Sequence, residues 1–202
     1  MAIFGGTFDP PHIAHVDLLA QAQKAFGFSK VFVVPSKFPP GKTPFAEYEK
    51  RFHWAEKAFD RPGIEVSNIE KSAEQTVFGF DIYAALQAQN PEIKFFWILG
   101  EDQWESLPYW KRINDYGSNL TWLVLPRTDD HSRPSGLLSR RLLGASCPYY
   151  WATGKTMPEV SSTELRDELG IEAHAAWIPE SIREEVKDYY QQKKKNKNKT
   201  EG

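Results

Sequence analysis

Two short segments of this chain, residues 31–34 and 95–99, consist almost entirely of apolar residues, most of them β-branched or aromatic. A strand carries apolar residues on both faces when helices cover both sides of its sheet, which is typical of parallel sheets. Other short β-type segments alternate along the chain with longer segments of helical period. This alternation predicts an α/β fold built on a doubly wound parallel sheet.

The same patterns give approximate positions for the elements. Strands are predicted at residues 2–4, 31–34, 65–67, 94–99, 121–125 and 149–151. Helices are predicted at 14–26, 48–59, 79–89, 109–116, 134–143, 164–169 and 179–190. No linker rich in Pro, Gly or Ser divides them, so residues 1–192 are expected to form a single Rossmann-like domain with C-terminal helices. Ligands of such sheets bind at the carboxyl ends of the strands, where the strand order reverses.

Charge and composition exclude several classes of partner. Five lysines and one acid lie in residues 193–202, so residues 1–192 carry 20 basic and 26 acidic side chains. A nucleic-acid-binding surface is normally basic, so we expect no nucleic acid partner. The Lys-rich segment 193–202 is predicted to be a disordered tail, with contact to a phosphate or an acidic partner as the alternative.

The apolar segments and the cysteine content bear on location. No apolar segment approaches the roughly 20 residues of a bilayer span, so we expect no membrane partner. Cys147 is the single cysteine of the chain, which fits a reducing compartment. We therefore expect a cytoplasmic location.

The first candidate site spans residues 5–15, directly after the first strand. Gly5 and Gly6 let the backbone approach a ligand, and the N-terminus of the following helix offers N–H groups to a phosphate. His12 and His15 are three residues apart and share a helix face, so both can donate to phosphate oxygens. A plain turn with capping histidines is the structural alternative. A zinc pair is another, although no cysteine or third histidine lies nearby in sequence.

The second candidate site lies about 150 residues later, at the start of a predicted helix. Ser161, Ser162 and Thr163 place hydroxyl groups at the helix cap, and Arg166 follows on the first turns. Hydroxyls, helix N–H groups and a guanidinium together suit an anion. Alone, this pattern is more often a simple cap.

Together the two motifs resemble the signatures of the nucleotidyltransferase superfamily of adenylyl- and cytidylyltransferases. Residues 5–15 are similar to G-G-T-F-D-P-x-H-x-G-H, and residues 160–166 to I-S-S-T-x-I-R. Residues 35–42 resemble the P-x-x-x-P-P-H-K loop of bacterial nicotinate-nucleotide adenylyltransferases, and residues 98–110 their G-x-D and L-x-x-W element. The resemblance extends from residue 2 to about residue 190.

The resemblance implies adenylyl transfer from ATP to nicotinate mononucleotide, which gives nicotinate adenine dinucleotide and pyrophosphate in NAD biosynthesis. No covalent intermediate with the protein is implied, so the protein's contribution is positioning and charge neutralisation. The alternatives are adenylyl transfer to nicotinamide mononucleotide or to another phosphorylated acceptor, and a nucleotide-binding paralogue without catalysis. The sequence indicates no oligomeric state.

The resemblance also implies roles for individual residues. Those implied to bind ATP are Gly5, Gly6, Thr7, Phe8, His12, His15, Asp102, Ser161, Ser162, Thr163 and Arg166, with His12, His15 and Arg166 as the catalytic ones. Those implied to bind the mononucleotide are Lys42, Phe78, Gly79 and Trp110, with the Trp110 indole as a platform for the pyridine ring. Mg²⁺ is implied to accompany ATP and to be held mainly by its phosphates, with no metal site on the protein.

Three residues depart from the family pattern. Ala14 replaces the glycine between the two histidines, and Gly41 replaces the histidine of the proline loop. Gly79 replaces a threonine that helps to define the pyridine pocket in the family. The hydroxyl is therefore missing at residue 79, although backbone N–H groups at that helix start could still bind a carboxylate.

Overall fold

The computed structural model describes residues 1–116, 120–125, 149–151, 160–168 and 172–200. Its strands are β1 (Ala2–Gly6), β2 (Val31–Pro35), β3 (Ile64–Val66), β4 (Phe95–Gly100), β5 (Leu120–Leu125) and β6 (Tyr149–Trp151). They form one sheet in the order β3-β2-β1-β4-β5-β6, and every neighbouring pair is parallel. The predicted doubly wound parallel sheet is therefore confirmed.

Seven α-helices lie in the described ranges. They are α1 (Ile13–Phe26), α2 (Tyr48–Ala58), α3 (Gly79–Gln89), α4 (Glu101–Ser106), α5 (Ser162–Glu168), α6 (Glu172–Ala175) and α7 (Arg183–Thr200). Short 3₁₀ turns lie at Leu107–Tyr109, Ile113–Asp115 and Glu180–Ile182. None of the described helices is both long enough and apolar enough to cross a membrane.

The core has two parts, one on each side of the sheet. Along β1, Ala2 and Phe4 pack into one hydrophobic cluster, whereas Ile3 packs into the other. Side chains alternate between the faces of a strand, so both clusters need apolar residues from the same strand. This is the physical reason for the unbroken apolar segments in the sequence.

The strand order reverses between β1 and β4. The helix after β1 contributes Leu18 and Leu19 to one cluster, and the helix after β4 contributes Trp104 to the other. The chain therefore leaves these two neighbouring strands towards opposite faces, which opens a crevice at their carboxyl ends.

Two predicted elements differ from the structure. A helix over residues 109–116 is wrong: α4 ends earlier and two 3₁₀ turns follow it. Pro108 cannot donate a helical hydrogen bond, and Arg112 adopts a left-handed φ of 62° that interrupts any helix. The predicted helix at 134–143 lies outside the described residues.

The predicted disordered tail at residues 193–202 is corrected as far as Thr200, because α7 continues to that residue. Lys and Gln are good helix formers, which favours extension of the helix. Lys193 also anchors it, since its Nζ donates to the Phe45 carbonyl at 3.1 Å and to Glu47 Oε1 at 2.7 Å.

Candidate active site

A cleft with two lobes lies at the carboxyl ends of β1 and β4. The lobes have volumes of about 530 and 540 Å³. We call the first, which contains Trp110, the tryptophan lobe, and the second, which contains His12 and His15, the histidine lobe. Six residues line both lobes: Gly5, Gly6, Thr7, Lys42, Asp102 and Gln103. The two lobes therefore meet at the end of β1.

The predicted site residues all line the cleft, and five of them lie at the junction that both lobes share. All eleven residues predicted to bind ATP line the histidine lobe, and all four predicted to bind the mononucleotide line the tryptophan lobe. The two sequence motifs are in direct contact, because Ser162 Oγ donates to the Pro10 carbonyl at 2.9 Å. The structure thus brings together segments that are about 150 residues apart, and the roles of these residues stay predictions.

The two histidines stack at the start of α1. Their ring centroids are 3.6 Å apart with an interplanar angle of 23°. The backbone N–H of His12 donates to His15 Nδ1 at 3.2 Å. A nitrogen that accepts a hydrogen bond carries no proton, so a neutral His15 ring holds its proton on Nε2. His15 is thereby prepared as an Nε2–H donor in the wall of the histidine lobe.

The side chain of Phe8 packs in the hydrophobic core. Its ring is buried and lies 5.6 Å from the ring of Phe4, 5.3 Å from that of Phe59 and 5.1 Å from that of His15. The ring also folds back over Gly6, where a Cβ would lie 2.8 Å from it. Gly6 is therefore required for this turn, and only the backbone of Phe8 remains for the predicted ATP contact.

Arg166 is held in the histidine lobe by Asp9. Its Nη1 donates to the Asp9 carbonyl at 2.5 Å and lies 3.5 Å from Asp9 Oδ2, while Nη2 donates to Thr163 Oγ1 at 3.0 Å. A guanidinium with its direction fixed in this way suits recognition of a phosphate.

Asp9 lies within the first motif, but no role was predicted for it from the sequence. Its carboxylate is buried and accepts the backbone N–H groups of Phe45 at 2.7 Å and Ala46 at 3.1 Å. The Tyr190 hydroxyl donates to the same carboxylate, and burial together with the Asp9 charge raises the pKa of Tyr190. Asp9 thus ties α7 and the loop before α2 to Arg166.

The Ser161 hydroxyl is engaged in capping α5. Ser161 Oγ donates to Glu164 Oε2 at 2.8 Å. The backbone N–H of Ser161 donates to the same Glu164 Oε2 at 3.0 Å, and the Glu164 N–H donates back to Ser161 Oγ at 3.2 Å. This reciprocal pair is a capping box. Since Ser162 bonds Pro10 and Thr163 bonds Arg166, all three predicted hydroxyls hold the site's own architecture.

Arg51 joins the loops beneath the junction of the lobes. The buried guanidinium donates from Nη1 to the carbonyls of Thr7 at 2.7 Å and Ser36 at 2.6 Å. It also donates from Nη2 to the Lys37 carbonyl at 3.2 Å and from Nε to the Ala46 carbonyl at 3.0 Å. Burial lowers the pKa of Arg51. Sequence reasoning did not predict this residue for the site, since its partners are backbone groups.

Glu70 is another buried ionisable group near the cleft, in the wall of the tryptophan lobe. Its Oε2 accepts the backbone N–H of Lys37 at 2.8 Å and the Ser36 hydroxyl at 3.3 Å. Burial raises the pKa of Glu70, against the effect of these hydrogen bonds. Glu70 lies outside the sequence motifs described above.

Gly79 makes room for two aromatic side chains. A Cβ at Gly79 would lie 2.7 Å from Tyr116 Oη and 3.0 Å from Trp110 Cζ3. Tyr116 Oη is buried and has no hydrogen-bond partner in the described parts of the chain. This tight packing explains why residue 79 is a glycine. The Tyr116 hydroxyl lies next to the position that a Cβ at residue 79 would occupy.

The other two departures from the family pattern also have a structural setting. Ala14 is buried in a hydrophobic cluster, so its methyl group packs in the core. Gly41 adopts a left-handed φ of 66°, which favours glycine, and a Cβ there would meet nothing within 4 Å. Neither substitution obstructs the histidine lobe.

Among the residues that the structure describes, no group of three or more His, Cys, Asp and Glu side chains could hold a metal ion. Asp102 is the carboxylate that lines both lobes, and Lys42 is the cation that does so. The junction therefore offers one group of each charge.

A parallel sheet with a glycine turn, paired histidines and an arginine at its switch point defines a nucleotide-binding α/β protein. The model of the cytidylyltransferase-like family matches residues 3–168, and the chain belongs to this family. The resemblance to nicotinate-nucleotide adenylyltransferases is also confirmed. A protein of Thermotoga sp. (strain RQ2) named "Probable nicotinate-nucleotide adenylyltransferase" is 32% identical over 94% of this chain and 96% of its own length. A protein of the same name from Listeria innocua is 30% identical over 94% of this chain and 95% of its own length.

A solved structure agrees with the fold. The Plasmodium falciparum nicotinic acid mononucleotide adenylyltransferase complexed with NaAD is similar with a TM-score of 0.75 and 19% identity. The match covers 94% of this chain and 96% of that chain. The arrangement of sheet and helices is therefore shared along nearly the whole length of both proteins.

Proposed function

We propose that this protein transfers the adenylyl group of ATP to nicotinate mononucleotide, releasing pyrophosphate and forming nicotinate adenine dinucleotide for NAD biosynthesis in the cytoplasm. The observation that carries the proposal is the meeting of two lobes of different chemistry at one glycine turn. The histidine lobe has donors for a triphosphate, and the tryptophan lobe has a flat apolar platform for a heteroaromatic ring. The names of the bacterial relatives support the same reaction.

The reaction takes place where the lobes join. An oxygen of the mononucleotide phosphate attacks the α-phosphorus of ATP, the bond from that phosphorus to the bridging oxygen breaks, and pyrophosphate leaves. The lining of both lobes by Gly5, Gly6 and Thr7 supports binding of the α-phosphate against this backbone. Lys42, which also lines both lobes, holds the phosphate of the acceptor.

The histidine lobe neutralises charge on the leaving group. The Nε2–H of His15 donates to a phosphate oxygen, and His12 supports it by stacking and by its backbone N–H. The Arg166 guanidinium, aligned by Asp9, binds the β- and γ-phosphates. Positioned donors of this kind stabilise the charge that develops in the transition state.

Mg²⁺ enters as part of the substrate, bound to ATP. The described part of the chain offers single carboxylates near the cleft rather than a cluster, so the triphosphate oxygens and water supply most of the ligands. Asp102, in the wall of both lobes, is the carboxylate that fits an outer contact to the ion or to a ribose hydroxyl. The ion supplies charge neutralisation on the phosphates.

The test is pyrophosphate release from ATP with nicotinate mononucleotide, nicotinamide mononucleotide or phosphopantetheine as acceptor, and with CTP in place of ATP. We expect turnover with ATP and the nicotinate compound. His15→Ala and Arg166→Ala should each lower kcat/KM by about 100-fold or more, as loss of a transition-state phosphate contact does. ATP binding in calorimetry without pyrophosphate release for any acceptor would contradict the proposal.

A matched control is Arg61→Ala, which removes an exposed arginine three residues before β3, at the amino ends of the strands. Its kcat/KM should equal that of the wild type. Thermal melting of every variant separates a loss of activity from a loss of fold. Turnover of Arg166→Ala within threefold of the control would refute the role assigned to Arg166.

A further inference from the structure

Lys111 is a cation of the tryptophan lobe that none of the roles above uses. It follows Trp110 directly and lines the lobe. Its Nζ lies 4.3 Å from the centroid of the Phe78 ring, within the range of a cation–π contact. Within the described residues, no carboxylate forms an ion pair with this ammonium.

The neighbouring residue Arg112 also lies over an aromatic ring, but it differs from Lys111 in its ion pairs and in its position relative to the lobe. Its guanidinium forms ion pairs with Asp115 at 2.7 Å and with Asp81 at 3.7 Å, and it lies over the ring of Phe80 at 3.8 Å. It does not line the lobe. The two adjacent cations therefore differ in setting: the charge of Arg112 is neutralised by surface carboxylates, whereas Lys111 lies in the wall of the cleft.

The surroundings of Lys111 reinforce its positive charge. Phe78 immediately precedes α3, a helix of 11 residues, whose first N–H groups carry partial positive charge. Asp81 is the nearby acid, but its carboxylate accepts the Phe78 N–H at 3.1 Å and pairs with Arg112. This corner of the lobe therefore favours an anion.

The lobe has a second cation, Lys42, which also lines the histidine lobe, whereas Lys111 lines the tryptophan lobe alone. A ligand that fits both cations carries two anionic groups, one at the junction and one beyond it. Between them lie the Trp110 indole and apolar side chains such as Val77 and Ile82, which suit a flat ring. A pyridine mononucleotide with a ring carboxylate has this distribution of charge, and its carboxamide analogue lacks the second anion.

We propose that the Lys111 ammonium pairs with the ring carboxylate of the acceptor and makes the lobe select the acid over the amide. This inference rests on the proposed function. The carboxylate gains an ion pair with the Lys111 ammonium beside the N-terminus of α3. A neutral amide would offer these donors either its own N–H₂ group, which is also a donor, or a carbonyl oxygen, which is a weaker acceptor than a carboxylate. Because Lys111 is largely exposed, we expect a selectivity of about tenfold from this pair rather than more.

The experiment compares Lys111→Gln with Arg112→Gln, which removes the same charge one residue away. We measure kcat and KM for nicotinate and nicotinamide mononucleotides, and the Kd of each by calorimetry. For Lys111→Gln we expect the acid-to-amide ratio of kcat/KM to fall about tenfold through KM, with kcat and the KM for ATP within twofold of wild type. Arg112→Gln and the charge-conserving Lys111→Arg should keep the wild-type ratio.

The outcomes separate the two proposals. Equal ratios in Lys111→Gln and Arg112→Gln, in both kinetics and Kd, overturn the role of Lys111 and leave adenylyl transfer intact. Binding of the acid by the wild type without pyrophosphate release overturns the proposed function. In that case the ratio of the Kd values for the acid and the amide, compared between Lys111→Gln and Arg112→Gln, still tests the role of Lys111. Failure of the wild type to bind either mononucleotide overturns both.

Discussion

Asp9→Asn tests how the histidine lobe is held together. The Asp9 carboxylate accepts donors at both oxygens: Oδ2 from the Phe45 N–H and beside Arg166, and Oδ1 from the Ala46 N–H and the Tyr190 hydroxyl. An amide keeps the shape of the side chain but turns one acceptor into an N–H₂ donor. In either orientation, the N–H₂ group of the amide would therefore face a donor that now bonds the carboxylate.

The cost follows from the less damaging orientation. The N–H₂ group replaces Oδ1, the Tyr190 hydroxyl turns to accept from it, and the Ala46 N–H loses its partner. A buried donor without a partner costs about 1–3 kcal/mol, and each remaining bond loses about 1 kcal/mol when its acceptor is no longer charged. We therefore expect Asp9→Asn to lower the free energy of unfolding by about 3–5 kcal/mol, because Asp9 is only 3% exposed.

Urea unfolding followed by tryptophan fluorescence measures this loss. Tyr190→Phe removes one hydroxyl donor to a charged group and should cost about 1.5–3 kcal/mol. Tyr189→Phe is the matched control, since its hydroxyl contacts the exposed Glu47 and should contribute less than about 1 kcal/mol. A free energy of unfolding for Asp9→Asn within about 1 kcal/mol of wild type would refute the reasoning, because it would mean that the four donors find other acceptors.

Three further predictions follow from the same contacts. Gly79→Ala should lower the free energy of unfolding by about 1–3 kcal/mol, because its Cβ would meet Tyr116 Oη, and adding Tyr116→Phe should recover part of the loss in urea unfolding. Hydrogen bonds from Lys193 and Tyr189 lower the pKa of Glu47 from 4.5 to about 2, so Lys193→Met should reduce stability by up to about 1 kcal/mol at pH 7. That difference should fade in acid unfolding as the pH falls from 4.5 towards 2, and a constant difference would contradict it. Burial raises the pKa of Glu70 above 4.5, so ionisation of its carboxyl opposes folding. In thermal melting, the stability of Glu70→Gln relative to wild type should therefore increase as the pH rises from 4.5 through the raised pKa of Glu70.

The sequence predicted the fold because its main signal was local. Apolar residues on successive positions of 31–34 and 95–99 require cover on both faces of a sheet, and the structure provides it. The prediction failed over residues 109–116, where the left-handed Arg112 breaks the helical pattern without any glycine or proline at that position. It also failed at the lysine-rich end, since charge alone did not reveal the anchoring of Lys193 on Glu47.

The candidate site was predictable where backbone and side chains act within one motif. Gly6, His15 and Arg166 belong to such motifs, and they line one lobe. No role at the site was predicted for Arg51, because its partners are backbone groups on loops distant in sequence. Asp9 lies within the first motif, but its bonds to the Phe45 N–H and the Tyr190 hydroxyl join segments that are distant in sequence, so its role was not predicted. Pairing between a side chain and a remote carbonyl or N–H leaves no periodic trace in the chain.

The meeting point of the two lobes has a consequence for inhibition. A bisubstrate compound that occupies both lobes must cross the turn at Gly5 and Gly6, where it rests on bare backbone. Any side chain at Gly6 would collide with the Phe8 ring. Substitution of Gly6 is therefore a poor route to resistance against such a compound. Resistance would have to arise in the outer walls, where each change also alters a contact to a natural substrate.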